Sequence, residues 1–212
     1  FQFNTYADID MVIELSPEVV LIATGGVPHA GYLKAGADLA VSSWDILSGH
    51  VPIGNHVLFF EDNGQHAGMT CAEFLAETDC TLEYLSPEMM MAPDIGGTNH
   101  PAYLRSLYNN NVSITLNQRL IGIQREDDGF SATIFNEYTN TSTERRFDQI
   151  ISDNGTLPAD ELYFDLKKDS INLGEVDQPA LLGGQPQGIK SNPDGKYQLF
   201  RIGDAVTSRN IH

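Results

Sequence analysis

The stretch that decides the fold covers residues 57–75 and reads VLFFEDNGQHAGMTCAEFL. An apolar run gives way to a polar turn, and a helical pattern follows, as in a strand that leads into a nucleotide-binding turn. In a dinucleotide-binding fold this turn would read G-x-G-x-x-G, whereas positions 63–68 read NGQHAG. Asn63 and Gln65 therefore replace the first two glycines of the fingerprint, and Gly68 keeps the third.

These replacements bear on ligand binding. The second glycine lets a pyrophosphate lie against the backbone, so a side chain at Gln65 would stand where the phosphates lie. The next strand should end in an acidic residue that binds a ribose, yet Ser86 takes this position and Glu83 lies inside the strand. The sequence therefore favours a domain that kept the fold and lost its NAD(P) site. Asp62, Asn63 and Gly64 can nevertheless form a sharp turn, so weak anion binding at the helix N-terminus is kept as an alternative.

Strand and helix patterns alternate on both sides of this stretch, which predicts an α/β fold. The segments FQFNTY, VVLIA and YQLFRI are predicted strands, and Asp8 is a predicted N-cap of the helix that follows FQFNTY. Between them, a helix is predicted at about 67–77, a strand at TLEYLS and a helix at NHPAYLRSLYNN. Four strand-like runs follow, namely VSITLN, RLIGIQRE, FSATIFNEY and ERRFDQIIS, with a hairpin between the second and the third.

Two strand ends carry candidate binding residues. Thr24, Gly25 and Gly26 end a buried strand, and such small residues let a phosphate or a ring approach the backbone. Gly203 and Asp204 end the last strand, where a carboxylate can accept a hydrogen bond from a sugar hydroxyl. A tight strand exit and a helix cap at Asp204 are the corresponding structural alternatives. The two strand ends enclose a complete α/β unit, as expected when one nucleotide-binding domain is inserted into another.

Composition excludes several classes of protein. The 212 residues carry a net charge of −17, from 29 acidic and 12 basic residues, which disfavours a nucleic-acid partner. The acidic surface is either simply solvated or a docking face for a basic partner. No apolar run approaches the ~18 residues of a membrane span. Cys71 and Cys80 form no C-x-x-C motif, so we expect no metal site within the chain. We expect a cytoplasmic protein.

Several segments together indicate a family. In chain order they read ATGG, SSWDILSG, DNGQHAGMTCAEFL, MMAPDIGGTNHPAYLRSLY, NGTLPADELYFDL and FRIGDAVTSRNIH. Nearly the whole chain resembles the C-terminal region of the fused flavin oxidoreductases, the family of trimethylamine dehydrogenase, histamine dehydrogenase and 2,4-dienoyl-CoA reductase. The amine dehydrogenase branch is the more similar one.

The resemblance implies a domain organisation. Such enzymes have an N-terminal barrel with FMN, a four-cysteine [4Fe-4S] site, and two glutathione-reductase-like domains. The first of these binds FAD in the reductases or ADP in the amine dehydrogenases, and the second binds NADPH in the reductases. By this resemblance, residues 1–53 and 154–212 are two segments of a partial FAD- or ADP-binding domain, and residues 54–153 are the inserted NAD(P)-binding-like domain. We therefore expect a fragment of a longer protein, with an FAD or ADP half-site at Thr24, Gly25, Gly26, Gly203 and Asp204.

The resemblance also implies a function. The parent would oxidise an amine, for example an N-methylated one, and pass electrons through FMN and the iron–sulfur cluster to an electron-transferring flavoprotein. This fragment would hold the adenine nucleotide and cover the barrel, with no catalytic residue and no turnover of its own. One alternative is an NAD(P)H-dependent enoyl reductase of the same family. Another is a non-catalytic module that docks a partner protein.

Overall fold

The computed structural model describes residues 1–29 and 33–207. The chain forms two compact units: residues 1–27 with 156–212 (unit 1), and residues 28–155 (unit 2). In the described residues, the helices are α1 (Ile9–Glu14), α2 (Ser43–Leu47), α3 (His66–Ala76), α4 (His100–Asn109), α5 (Glu161–Lys167) and α6 (Gln178–Leu182). The strands are β1 (Val19–Ile22), β2 (Gly26–Pro28), β3 (Val41–Ser42), β4 (His56–Glu61), β5 (Thr81–Leu85), β6 (Ser113–Thr115), β7 (Gln118–Glu126), β8 (Gly129–Asn136), β9 (Thr141–Phe147), β10 (Gln149–Asp153), β11 (Thr156–Pro158) and β12 (Gln198–Arg201). The predicted α/β class is confirmed. The motif residues after 207 lie outside the described residues.

A parallel sheet with the strand order β3-β10-β4-β5-β6 forms the centre of unit 2. Successive side chains of β4 point to opposite faces of this sheet. Val57 and Phe59 join the apolar core with Met69 of α3, whereas Leu58 and Phe60 join a second core that includes residues of β7 and β8. Burial on both faces explains why β4 is an unbroken apolar run.

The strands β7, β8 and β9 form an antiparallel sheet, with the predicted hairpin between β7 and β8. The run ERRFDQIIS was predicted as one strand, and this prediction is wrong because β9 and β10 lie in different sheets. Asp148 separates them: its N–H donates to the His56 carbonyl oxygen (2.8 Å), and its carboxylate accepts from the His56 N–H (2.9 Å). A continuous pattern of strand-forming residues does not show where the chain leaves one sheet and enters another.

Unit 1 contains a parallel pair, β1 with β12, in which Val20 is the partner of Leu199. These two segments therefore pair in one sheet, although unit 2 separates them in the sequence. The core between this pair and the helices α1 and α5 includes buried Leu166 and Tyr197.

The sequence predicted one feature of the N-terminal segment of unit 1 correctly and another wrongly. The Asp8 side chain accepts a hydrogen bond from the Met11 N–H (2.9 Å), as expected for the N-cap of α1. The strand predicted at FQFNTY is wrong: residues 1–6 are exposed and have no strand structure. Alternation of apolar and polar residues does not form a strand unless another strand satisfies its backbone groups.

Residues 33–53 pack within unit 2. β3 pairs with β10, and Ile46 of α2 is buried in the core beside β4 and α3. Contacts therefore divide the chain at residues 27 and 155, whereas the sequence pattern placed residues 1–53 in one segment. The boundaries expected for the nucleotide-binding domains, at residues 53 and 153, stay a prediction.

Candidate functional site

The two predicted strand ends of unit 1 lie at one edge of the β1–β12 pair. Because these strands are parallel, the residues after each strand emerge at the same edge, where nucleotides bind in open α/β sheets. The Ile202 N–H donates to the Ile22 carbonyl oxygen (2.9 Å), so pairing continues to the residue before Gly203. The fold thus brings the ATGG segment and the Gly203–Asp204 segment to a common edge.

The three glycines at this edge differ in their surroundings. Gly25 (φ +74°) and Gly203 (φ +62°) have left-handed backbones, and a Cβ on either would meet nothing within 4 Å. A Cβ on Gly26 would lie 2.8 Å from the Leu157 carbonyl oxygen, in the strand β11 that pairs with β2. Gly25 and Gly203 therefore offer the open backbone that a phosphate or ring requires, whereas packing of the chain itself accounts for Gly26.

The two remaining candidate residues are held differently. Thr24 Oγ1 donates to the Ala159 carbonyl oxygen (2.5 Å), which fastens the end of β1 to the chain after β11. Asp204 is half-buried in a short 3-10 turn, Gly203–Ala205, directly after exposed Gly203. A carboxylate at this place can accept a hydrogen bond from a ligand hydroxyl. Of the five predicted residues, Gly25, Gly203 and Asp204 are thus open to a ligand, whereas Thr24 and Gly26 make contacts within the chain.

Arg201, which sequence reasoning missed, supports this turn. Its Nη1 donates to Asp160 Oδ2 (2.5 Å) and to the Ala205 carbonyl oxygen (3.3 Å). Its guanidinium also lies over the rings of Tyr163 and Phe164, 4.6 and 5.3 Å from their centroids. The one available signal was a basic residue within the otherwise apolar LFRI run.

The degenerate turn of unit 2 contains a second residue that sequence reasoning missed, Glu61, the last residue of β4. Its side chain is fully buried. Oε1 accepts hydrogen bonds from the backbone N–H groups of Asn63 (2.9 Å) and Gly64, and Oε2 accepts from the Tyr84 hydroxyl (2.8 Å). Burial raises the pKa of Glu61 from 4.5 to about 7, although these hydrogen bonds oppose the rise. A lone acid at the end of VLFFE was the only hint in the sequence.

The remaining fingerprint positions of unit 2 are also occupied by internal contacts. A Cβ on Gly68 would lie 2.6 Å from Glu61 Cγ, so the expected helix–strand packing role of Gly68 is confirmed. Ser86 is buried after β5. Glu83 is ion-paired with Arg145 and accepts from Thr115 Oγ1 (2.9 Å). The end of β5 therefore presents no carboxylate for a ribose.

Two kinds of feature are absent from residues 1–29 and 33–207. No group of three or more His, Cys, Asp or Glu side chains is placed to hold a metal ion there. Within the same residues, no helix has the length and apolarity needed to cross a membrane.

Unit 2 has a parallel sheet with helices on one face and an antiparallel three-stranded sheet on the other, and in the sequence it lies between the two segments of unit 1. These features define a nucleotide-binding fold of the glutathione reductase type. Solved structures agree. Histamine dehydrogenase from Rhizobium sp. 4-9 matches 98% of this chain and 30% of its own, with a TM-score of 0.74 and 18% identity. Thioredoxin reductase from T. acidophilum matches 90% of this chain and 58% of its own, with a TM-score of 0.60 and 17% identity. At these identities the likeness concerns the fold.

Two curated relatives are more similar in sequence. A protein of Rhizobium meliloti (strain 1021), named "Probable N-methylproline demethylase", is 43% identical over 212 residues, which are 100% of this chain and 31% of the relative. "N,N-dimethylglycine/sarcosine dehydrogenase" of Chromohalobacter salexigens is 38% identical over 100% of this chain and 32% of its own length. No family model matches the chain. These relatives and the solved structures confirm the resemblance to the C-terminal region of the fused flavin oxidoreductases that the sequence motifs indicated. The chain spans about a third of the length of the curated relatives that it matches.

Proposed function

We propose that the chain is part of a flavin-dependent oxidoreductase that oxidises N-methylated amines. The observation that carries this proposal is the similarity, over the whole chain, to two relatives whose names both specify an N-methylated amino acid, at 43% and 38% identity. The fold is consistent with it, since histamine dehydrogenase has the same arrangement over 98% of this chain.

Within such an enzyme, this region would hold an adenine nucleotide, as FAD or ADP, at the β1–β12 edge of unit 1. Gly25 and Gly203 would admit the phosphates, and the Asp204 carboxylate would accept a hydrogen bond from a ribose hydroxyl. The geometry supports this assignment because both glycines have left-handed backbones with open space around them. FMN and a [4Fe-4S] cluster would lie in the other parts of the parent protein and would carry the redox chemistry.

Electrons would leave the enzyme to a separate acceptor, an electron-transferring flavoprotein, and not to NAD(P)⁺. Support comes from the turn of unit 2, where the N–H groups of Asn63 and Gly64 already donate to Glu61. The net charge of −17 favours an acceptor with a basic docking face. The N-terminal flavin barrel of the parent would be the other partner of this region.

The test is turnover of the purified full-length protein. N-methylproline, dimethylglycine and sarcosine would be supplied with an artificial electron acceptor, with proline and glycine as matched controls that lack the N-methyl group. We expect formaldehyde release and acceptor reduction with methylated amines only. The enoyl reductase alternative makes the opposite prediction, NADPH consumption with an enoyl substrate and no amine turnover, and that result would reject the proposal.

A further inference from the structure

The turn that follows β4 binds a carboxyl group that belongs to the chain itself. Both N–H groups of the Asn63–Gly64 backbone point to Oε1 of Glu61, and α3 begins two residues later, at His66. The partial positive charge of a helix N-terminus also favours an anion at this place. Glu61 is fully buried, and its other carboxyl oxygen accepts a hydrogen bond from the hydroxyl of Tyr84, a residue of β5.

In nucleotide-binding folds these same groups bind a ligand. The backbone N–H groups of the turn after the first strand, together with the start of the following helix, hold the pyrophosphate. A carboxylate is a weaker mimic of a phosphate, but it carries the same sign of charge and accepts the same hydrogen bonds. In unit 2 the chain thus supplies the acceptor that a ligand would otherwise bring.

We propose that Glu61 is the residue that closes unit 2 to pyridine nucleotides, because its carboxylate occupies the phosphate position from inside the fold. This inference goes beyond the proposed function and does not depend on the amine substrate. It also differs from the sequence-based explanation, in which the Gln65 side chain blocks the phosphates. Gln65 is the N-cap residue of α3 and makes no side-chain capping hydrogen bond.

Two neighbouring segments of the chain fix the closed turn. Asn63 Nδ2 donates to Asp153 Oδ1 (3.0 Å), at the end of the neighbouring strand β10. The Gly64 carbonyl oxygen accepts from the Asp94 N–H (3.0 Å), and a Cβ on Gly64 would touch the ring of Pro93 at 3.3 Å. These contacts hold the two donor N–H groups towards Glu61.

Helix α3 closes the remaining side. Gly68 approaches Glu61 so closely that a Cβ there would lie 2.6 Å from Cγ and 3.1 Å from Oε1. The Glu61 side chain therefore has little room to swing out of the turn when a nucleotide arrives. The packed fold alone therefore keeps Glu61 in the phosphate position, and no bound partner is required for this.

The experiment measures NADH and NADPH binding to the full-length protein by calorimetry. We expect no saturation by the wild-type protein in the millimolar range. Glu61→Ala frees two N–H groups, and a hydrogen bond to a charged group is worth ~1.5–3 kcal/mol, so binding should become roughly ten- to a hundredfold tighter. Glu61→Gln keeps an acceptor oxygen in place and should remain closed. Glu77→Ala is the matched control, since it removes an exposed acid at the other end of α3.

Two results would overturn the proposal: saturable NADH binding by the wild-type protein as tight as that of Glu61→Ala, or no gain in a Glu61→Ala variant with native circular dichroism. Adding Asp204→Ala should leave the gain intact, and its loss would place the ligand in unit 1 instead. If Glu61→Ala does not fold, hydrogen exchange of the backbone amides of the wild-type protein tests the proposal instead. The Asn63 and Gly64 amides should exchange slowly, and exchange at the rate of exposed loop amides would contradict the closed turn.

Discussion

Gly68 and Glu61 approach each other so closely that a Cβ on Gly68 would lie 2.6 Å from Glu61 Cγ. Glu61 cannot retreat easily, because the Asn63 and Gly64 N–H groups and the Tyr84 hydroxyl hold its carboxylate. The third glycine of the fingerprint is therefore retained for a contact within the protein, although the first two have been lost.

Gly68→Ala should lower the free energy of unfolding. Overpacking a rigid site costs about 1–3 kcal/mol, and the better helix propensity of alanine recovers up to about 1 kcal/mol of this. Gly97→Ala is the control, because a Cβ there meets nothing within 4 Å. Denaturant unfolding of single and double variants provides the measurement. In a cycle with Glu61→Ala the two effects should not add, and additive effects would mean that the contact is not made.

Glu61→Gln should change how stability depends on pH. The pKa of Glu61 is raised from 4.5 to about 7, so the folded state holds this proton more tightly than the unfolded state. The stabilising contribution is complete below pH 4.5 and is lost as the pH rises through 7, about 3 kcal/mol in total. Melting curves across this range should therefore show a steeper decline for the wild-type protein than for Glu61→Gln. Glu77→Gln, which changes an exposed acid, should follow the wild-type curve.

Asp204→Ala should weaken the binding of ADP or FAD to the full-length protein roughly ten- to a hundredfold, because a charged hydrogen bond worth ~1.5–3 kcal/mol is lost. Gln65→Gly, in unit 2, should leave this affinity nearly unchanged. Asp194→Ala serves as a charge-matched control at an exposed position of unit 1. Calorimetry that shows a strong effect of Gln65→Gly and none of Asp204→Ala would place the nucleotide in the other unit.

Arg201→Lys should destabilise unit 1 by about 1–2 kcal/mol. A lysine cannot donate to Asp160 and the Ala205 carbonyl oxygen while it lies flat on the Tyr163 ring. Arg146→Lys is the control, because the Arg146 side chain is 83% exposed in its ion pair with Glu126. Thermal unfolding that is equally affected by both substitutions would show that the planar guanidinium is not required.

Local sequence patterns predicted most elements of unit 2, since an unbroken apolar run such as β4 has few alternatives to a doubly buried strand. These patterns failed where a contact between residues distant in the sequence determines the local structure. The break at Asp148 depends on His56, and the burial of Glu61 depends on Tyr84. The motif pattern indicated the family, whereas the support from Arg201 depends on Tyr163 and Phe164, which only the folded chain brings to β12.

The parallel pairing of β1 with β12 has a consequence for synthesis on the ribosome. Unit 2 is a continuous segment, so all of its strands are available once residue 155 has left the exit tunnel. β1 must wait much longer, because its partner Leu199 is among the last of the described residues to be made. Until then Val20 and Ile22 lack the strand that they pair with in the native fold. Chaperone binding during translation should therefore concentrate on β1, and unit 2 should acquire protease resistance first.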